Sequence, residues 1–434
     1  MKRTGMLAAV LAVWAGAACE ELVPTSVDES LLPDEPVTVE VRLPWSAFAS
    51  GLRVYGGFGS AAELGRGVVA RDYAGVLDAR TLSRFNPFPA TVTVRDTTGT
   101  ARADSMPVFR TGRVAVVLDT LASTNEGPVE LSLAALTQAW HARTATWTLA
   151  VDTVNDRRPW EEPGAGPARE LGTAEWDPAE GDTVFFPVDS AQLAEWRDTA
   201  DVERGVRVGL VTAGERVRIA NILLRLDVES TLNPDTTVLS SVGRRDLTFI
   251  YDPVPEPPPD GIRIGGTPSW RTVLEVRVPQ SLDGPPALCE AVGCPVELQP
   301  DQVNYAALVL RTRRSAAAYQ PTDSVSLDVR PVLAPEALPK SPLGPSLTGA
   351  VGRQVAPGFF GDGEGVAIEI PVTEFIQDQL RGETAEGGEP PGTLALLSTF
   401  EPLSLAYASF HGPGTQLEPQ LKLIVTTGAS VGLP

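Results

Sequence analysis

Four tryptophans, Trp140, Trp147, Trp160 and Trp176, lie in one stretch of the chain and are its strongest candidates for ligand contact. Flat aromatic rings can stack on sugars, although a tryptophan in a β-sheet protein is more often packed in the core. Trp147 belongs to an alternating Thr-Trp-Thr-Leu run, so we expect it to be buried. Trp160 stands among arginines and glutamates, so we expect an exposed ring there. The predicted ligand contacts are Trp160, Trp140 and Trp176.

The sequence contains no clear motif for acid–base or metal chemistry. His141 and His411 are the only histidines, and neither lies in a GxSxG or HExxH context. The 55 acidic residues contain no pair whose spacing singles it out for glycoside hydrolysis. Asp362 and Glu364 could offer oxygen ligands to calcium, but their glycine-rich segment is more typical of a turn. We therefore expect a non-enzymatic protein without a cofactor.

The start of the chain is typical of a lipoprotein signal. Lys2 and Arg3 precede an apolar run from Met6 to Ala15 that is too short to cross a bilayer, and small residues lead into Cys19. This order predicts cleavage before Cys19 and acylation of its thiol, with palmitate among the attached chains. An ordinary secretory signal followed by an incidental cysteine is the alternative.

The other two cysteines also fit export. Cys289 and Cys294 enclose a short Cys-Glu-Ala-Val-Gly-Cys segment. A close pair in an oxidising compartment is expected to form a disulfide. A zinc site is the alternative, but zinc needs four ligands and the sequence offers no histidine or further cysteine nearby.

The charge balance limits the possible partners. The chain of 434 residues has a formal charge of −20, which becomes −22 once Lys2 and Arg3 are removed. Such a field repels nucleic acid and anionic lipid head groups, so we expect no nucleic-acid partner. It also argues against a polyanionic polysaccharide unless a local basic patch overrides it. The simplest interpretation is that acidity keeps an exported protein soluble.

Alternation of apolar and polar residues predicts strands along most of the chain. With 40 glycines and 39 prolines to supply turns and no long amphipathic helix between the runs, an all-β fold of antiparallel sandwiches is favoured over parallel βαβ units. The clearest runs are residues 37–43, 91–95, 129–133, 206–210, 273–278, 324–329, 366–370 and 420–425.

Two short helices in similar surroundings indicate an internal repeat. Residues 190–196 follow a strand and Asp189, and residues 374–380 follow a strand and Thr373; each of these two residues is suited to cap a helix. Two further strands, a proline and a last strand follow in both places, which predicts two tandem domains of one kind. The predicted division is a signal peptide at 1–18, a lipidated tether at 19–36, sandwiches at 37–243 and 244–428 and a tail at 429–434, with 253–259 as a linker or an early loop.

Several segments of the first repeat fit one known family. They are Leu82-Ser83-Arg84-Phe85, the Ala-rich run 131–136, Trp140 with Thr146-Trp147, and the run 184–189 with Trp196. In this order they resemble the bacterial DNRLRE family, which is also grouped as a carbohydrate-binding module. The second repeat matches at 270–274, 305–310 and 372–373 but lacks the tryptophan segment. The resemblance implies jelly-roll-like sandwiches, an extracytoplasmic setting and sugar binding.

Together these features predict a cell-envelope lipoprotein, held to the membrane by the lipid on Cys19. Outer-membrane placement is expected because Glu20, and not an aspartate, follows Cys19. Its ligand would be a polysaccharide or an envelope protein. The first alternative is a structural or adhesive assembly component whose sheet edges pair with partner strands. The second is a hydrolase that acts on polysaccharide, because a β-sandwich can host an enzyme.

Overall fold

The computed structural model describes residues 36–198, 205–286, 289–290, 293–401 and 404–427, and it is nearly all β. The strands in the first part of the chain are β1 (Val37–Leu43), β2 (Ala49–Tyr55), β3 (Gly67–Tyr73), β4 (Leu77–Phe85), β5 (Val92–Arg95), β6 (Ala101–Asp104), β7 (Val108–Asp119), β8 (Val129–Leu136), β9 (Leu149–Thr153), β10 (Asp156–Pro159), β11 (Ala168–Trp176), β12 (Thr183–Val188), β13 (Gly205–Leu210), β14 (Arg216–Glu229), β15 (Thr237–Val242) and β16 (Arg244–Asp252).

The remaining strands are β17 (Gly261–Gly265), β18 (Arg271–Val276), β19 (Ser281–Leu282), β20 (Val296–Glu297), β21 (Val303–Arg313), β22 (Val325–Pro331), β23 (Arg353–Val355), β24 (Ala367–Pro371), β25 (Thr393–Ser398), β26 (Tyr407–His411) and β27 (Gln420–Thr427). The α-helices that lie wholly within the described residues are α1 (Trp45–Phe48), α2 (Ser190–Asp198) and α3 (Thr373–Arg381). Every run predicted from alternation coincides with a strand, with small shifts at its ends, and both predicted helices are present. The all-β prediction is thus confirmed.

The first sandwich contains β3 to β16. Ten of these strands form one continuous antiparallel sheet in the order β11-β8-β13-β4-β3-β14-β7-β12, with β16 added on β4 and β15 on β14. Strand β3 pairs with both β4 and β14, so the sheet folds over its own core. That core brings Leu131 and Val208 of one layer together with Val116 and Leu224 of the other.

The second sandwich contains β1, β2 and β17 to β27. One sheet has the order β1-β27-β21-β26-β17 with β24 on β21, and the other has the order β2-β18-β25-β22-β23. Leu308 and Leu423 of the first of these sheets share a core with Leu274 and Leu396 of the second. The predicted disulfide between Cys289 and Cys294 is present and closes its short loop. In the parts of the chain that are described, no helix has the length and apolar character needed to cross a membrane.

Both sandwiches repeat one pattern of strand pairing. The strand before the helix pairs with a long strand, β12 with β7 and β24 with β21. The strand after the helix pairs with two others, β13 with β8 and β4, and β25 with β22 and β18. The long strand β14 corresponds to two strands, β26 and β27, of the second sandwich. This shared pattern supports the predicted repeat.

The strands that complete each sandwich require a correction to the predicted boundaries at 37–243 and 244–428. The first sandwich is completed by β15 on β14 and by β16 on β4. In the second sandwich these places are taken by β1 on β27 and β2 on β18. Residues 37–55 therefore belong to the second sandwich, and Arg244–Asp252 to the first. Alternation shows which side chains of a strand share a face, but it does not identify the neighbouring strand.

The chain crosses between the sandwiches twice, through residues 56–66 and 253–260. The second crossing contains the proline-rich stretch, which is thus a linker. The Arg263 guanidinium donates from Nη1 to the carbonyls of Pro255 (3.2 Å) and Glu256 (2.6 Å) and lies 4.2 Å from the centre of the Tyr407 ring. Apolar side chains from both sandwiches meet beside it in one buried cluster.

The two helices begin differently. Asp189 caps α2 as predicted, because its Oδ1 accepts a hydrogen bond from the backbone N–H of Gln192 (2.8 Å). The prediction that Thr373 caps α3 is wrong: Thr373 is the first residue of the helix, and its Oγ1 accepts from Ala306 N (2.9 Å) of β21. Trp196 of α2 is fully buried in the first core.

Phe48 tests the assignment of the first strands to the second sandwich. It is 1% exposed and packs in the core of that sandwich. Phe48→Ala is expected to lower the free energy of unfolding by about 3–5 kcal/mol. Hydrogen exchange should accelerate in residues 261–427 and stay unchanged in residues 67–252.

Phe185→Ala is the matched control, because this ring is 39% exposed on the first sandwich. It should leave exchange in residues 261–427 unchanged. An acceleration confined to residues 67–252 in Phe48→Ala would contradict the strand assignment.

Candidate ligand-binding groove

A tryptophan-rich insertion covers part of the outer face of the first sandwich. Residues 137–167 connect β8 to β11 and carry the β9–β10 hairpin. Their indole rings pack on apolar side chains that point outward from three strands of the sheet, namely Leu82, Leu136 and Ile250.

The three predicted ligand contacts are buried: Trp140 is 3%, Trp160 4% and Trp176 3% exposed. The prediction that Trp160 is exposed is wrong, although its charged neighbours at 157–158 and 161–162 are exposed. The Trp160 indole N–H donates to the carbonyl of Thr146 (2.9 Å), and its backbone N–H donates to that of Thr148 (3.1 Å). The ring therefore lies beneath a loop of the insertion. Trp176 donates from its indole to Gly181 O (2.9 Å).

Trp147 lies in that loop and is only half-buried, which corrects the prediction that it is a buried strand residue. The carbonyls on either side of it, those of Thr146 and Thr148, are the two acceptors of Trp160. The carbonyl of Trp147 itself accepts from the N–H of Gly164 (2.7 Å). Trp160 and Gly164 thus hold the loop that presents the Trp147 ring.

Trp147 lines an open groove of about 570 Å³ beside the insertion, on a part of the sheet that the insertion leaves uncovered. Strand alternation directs Asp78 and Arg80 of β4 and Arg207 of β13 into this groove, while their neighbours in the chain pack inward. Gly209, two residues after Arg207, leaves space above the sheet. Hydroxyl groups of Ser132 and Thr173 complete a lining of mixed polarity.

Three arginines, Arg71, Arg80 and Arg207, line the groove. The Arg80 guanidinium lies 5.0 Å from the centre of the Trp147 ring and donates to Gly164 O (2.5 Å). Arg207 donates from Nη2 to Glu170 Oε1 (2.9 Å) and from Nη1 to the Ala165 carbonyl (3.2 Å). Burial, and then the charge of Arg207, lowers the pKa of Arg80, against the opposing effect of the nearby carboxylates. Arg80 stays charged, because guanidinium titrates far above neutral pH.

The corresponding place on the second sandwich is covered by apolar side chains. Ala395 of β25 takes the place of Arg207, since it pairs with Val273 of β18 just as Arg207 pairs with Leu82 of β4. Val273 and Ala395 are buried in an apolar cluster under Leu338 and Leu343. The two repeats therefore share a strand pattern but differ in their outer surfaces.

The calcium candidates do not form a metal site in this structure. The Asp362 side chain is 98% exposed and lies 3.6 Å from Arg314 Nη2, and Glu364 Oε2 accepts from the Arg314 backbone N–H (3.1 Å). Across the described residues, no group of three or more His, Cys, Asp or Glu side chains could hold a metal ion. Cys19, the predicted lipidation site, lies outside the described residues.

Sequence reasoning missed Arg80, Arg207 and Glu170. One usable signal was present in the predicted strand 206–210, where alternation places Arg207 and Gly209 on one face. A charged residue and a glycine on the same face of a strand indicate an open, polar surface. Nothing in the sequence placed Arg80 or Glu170 next to that strand.

Neither protein-family models nor curated proteins gave a match to this chain. The candidate site is therefore defined by its geometry alone.

Gly164 is a point at which this geometry can be tested. It has φ +80°, and a Cβ atom there would lie 2.8 Å from Arg80 Nη1 and 2.9 Å from Trp147 Cζ2. Gly164→Ala is expected to lower the free energy of unfolding by about 2–3 kcal/mol, because backbone strain and a displaced Trp147 both contribute. Chemical denaturation followed by tryptophan fluorescence measures the loss.

Gly99→Ala is the matched control, since Gly99 has φ +83° and open space around its Cα. It should show the backbone strain alone, about 1 kcal/mol. Equal losses in the two variants would mean that Gly164 does not hold Trp147 and Arg80 in place.

Proposed function

We propose that this chain is a non-enzymatic, lipid-anchored protein of the cell envelope whose first sandwich binds polysaccharide in the Trp147 groove. The observation that carries the proposal is the half-buried Trp147 ring at the wall of an open, polar groove. An aromatic face can pack on the apolar face of a sugar ring. The arginine, carboxylate and hydroxyl groups around it can then donate to or accept from sugar hydroxyls.

The size and rigidity of the groove support this role. Its volume of about 570 Å³ lies within the range of about 300–1,000 Å³ that is usual for small-ligand pockets. Arg80 and Arg207 are already held by the carbonyls of Gly164 and Ala165. A ligand would therefore meet side chains that lose little conformational freedom on binding.

The anchor and the location are parts of the same proposal and rest on the start of the sequence. The basic residues, the short apolar run and Cys19 support lipidation, and Glu20 supports the outer membrane. Lipid attachment would keep the groove at the membrane surface, where envelope polysaccharides are concentrated.

Hydrolysis is the competing function, because Asp78 and Glu170 line the same groove. Asp78 Oδ1 accepts from the backbone N–H of Asp72 (3.0 Å), and Glu170 is paired with Arg207. Since each carboxylate already has a partner within the protein, we favour binding over catalysis.

A polysaccharide-binding screen on soluble residues 24–434 tests the proposal. Neutral and uronic-acid-containing polysaccharides are compared by affinity electrophoresis, and Trp147→Ala should weaken binding about tenfold or more, which corresponds to about 1.4 kcal/mol of lost contact. Trp147→Phe should retain part of the affinity, because it keeps a smaller aromatic face.

Phe185→Ala is the control, because this exposed ring also stands near two arginines, Arg113 (5.6 Å) and Arg225 (5.1 Å), but lies outside the groove. It should bind like the wild type. Failure of every polysaccharide to bind would instead favour a structural or adhesive assembly role. Release of reducing ends that is lost in Glu170→Gln would favour the hydrolase.

A further inference from the structure

A second cavity lies between the two sandwiches, and we call it the junction cleft. Arg66, at the end of the first crossing, and Arg218 of the first sandwich face Thr322 and Asp323 of the second across it. The main part has a volume of about 530 Å³. A narrow inner part of about 50 Å³ continues from it and is lined by Arg216.

Strand geometry explains why three arginines meet here. Arg216 and Arg218 are two residues apart on β14 and so point to the same face. In the neighbouring strand β3, Ala70 pairs with Arg216 and Val68 pairs with Arg218. Arg66 continues the same alternation just ahead of β3. The three guanidinium groups therefore share one face of the sheet and are directed into one cleft.

Arg216 is the most unusual of the three. It is only 9% exposed, and its guanidinium lies 5.0 Å from the centre of the Tyr73 ring. Among the described residues, no carboxylate or carbonyl accepts a hydrogen bond from this guanidinium. Its nitrogen atoms are not fully buried and open onto the cleft, where water or an anion can accept hydrogen bonds from them. An arginine of this kind, facing a cavity, is suited to an anion from outside the protein.

The neighbouring carboxylates do not fill this role. Asp119 Oδ2 lies 3.4 Å from Arg66 Nη1 and 3.9 Å from Arg218 Nη1, so its contacts with both are long. Burial is the main cause of the lowered pKa of Arg216, and the charge of nearby Asp323 opposes that shift. Three arginines against two aspartates leave the cleft with a local positive excess, in a chain whose formal charge is −20.

We propose that the junction cleft binds a small solute that carries a phosphate group, with Arg216 as the main ligand. A phosphate offers at least three acceptor oxygens and up to two negative charges to arginines that approach from different strands, whereas a carboxylate offers only two oxygens. Because Thr322 and Asp323 line the opposite wall, a bound phosphate would lie against both sandwiches and stabilise their junction. This site is separate from the Trp147 groove.

Titration calorimetry with inorganic phosphate on the mature full chain tests the proposal, in a phosphate-free buffer at constant ionic strength. Arg216→Gln should weaken phosphate binding about tenfold or more, and Arg216→Lys should weaken it less, because lysine keeps the charge but not the guanidinium fork. Phosphate should raise the Tm of the wild type and raise it much less in Arg216→Gln. Without phosphate, Arg216→Gln should be at least as stable as the wild type, which shows that the variant folds.

Arg110→Gln is the control, because Arg110 is exposed and pairs with Glu229 outside the cleft (2.9 Å). It should bind phosphate like the wild type, as should Trp147→Ala. Glycerol 3-phosphate and vesicles containing phosphatidylglycerol then identify the source: tighter binding of the soluble ester indicates a free metabolite, and tighter binding of the vesicles indicates a lipid head group. Absence of phosphate binding, equal affinity for acetate, or unchanged binding in Arg216→Gln would each overturn the proposal.

Discussion

The pairing of β1 with β27 and of β2 with β18 is the constraint on which the rest of the structure depends. It brings residues from the two ends of the described chain into one sheet, with Val37 opposite Thr427. Without these two strands, the second sandwich would lack one edge of each sheet and the core contribution of Trp45 and Phe48. The first sandwich is consequently inserted between parts of the second, and it cannot move far without pulling on both crossings.

The same constraint explains the exchange of strands between the repeats. In sequence order, the first repeat begins with β1 and β2, and the second begins with β15 and β16. Strands β1 and β2 complete the second sandwich, whereas β15 and β16 complete the first. An exchange of this kind places covalent connections and sheet hydrogen bonds on both sides of the junction. The apolar cluster there, with the Arg263 side chain against Tyr407, fills the space that the two crossings enclose.

The sequence contains enough information to predict the strands and helices, but too little to predict which strands pair with one another. Period-2 alternation identified 37–43 and 420–425 as strands, because a half-buried strand must alternate. It could not pair them, since any strand with the same faces satisfies the pattern. The predicted exposure of Trp160 and burial of Trp147 were wrong for a related reason. The charges beside Trp160 are exposed as expected, yet its ring faces inward under a loop, and that loop displays Trp147.

The difference between the two outer faces shows that one strand pattern can carry two different surfaces. The first sandwich has the charged side chain of Arg207 where the second has Ala395, and the segments that pack around these two positions differ accordingly. Alanine allows the 332–344 segment to close over an apolar surface through Leu338 and Leu343. A guanidinium at the same place must stay hydrated or paired. The insertion therefore covers Leu82 and Ile250 but not Arg207. The edge of the insertion presents Trp147 and the carbonyls of Gly164 and Ala165. The groove is thus the uncovered part of a face that charge keeps open, whereas apolar side chains close the same position in the second sandwich.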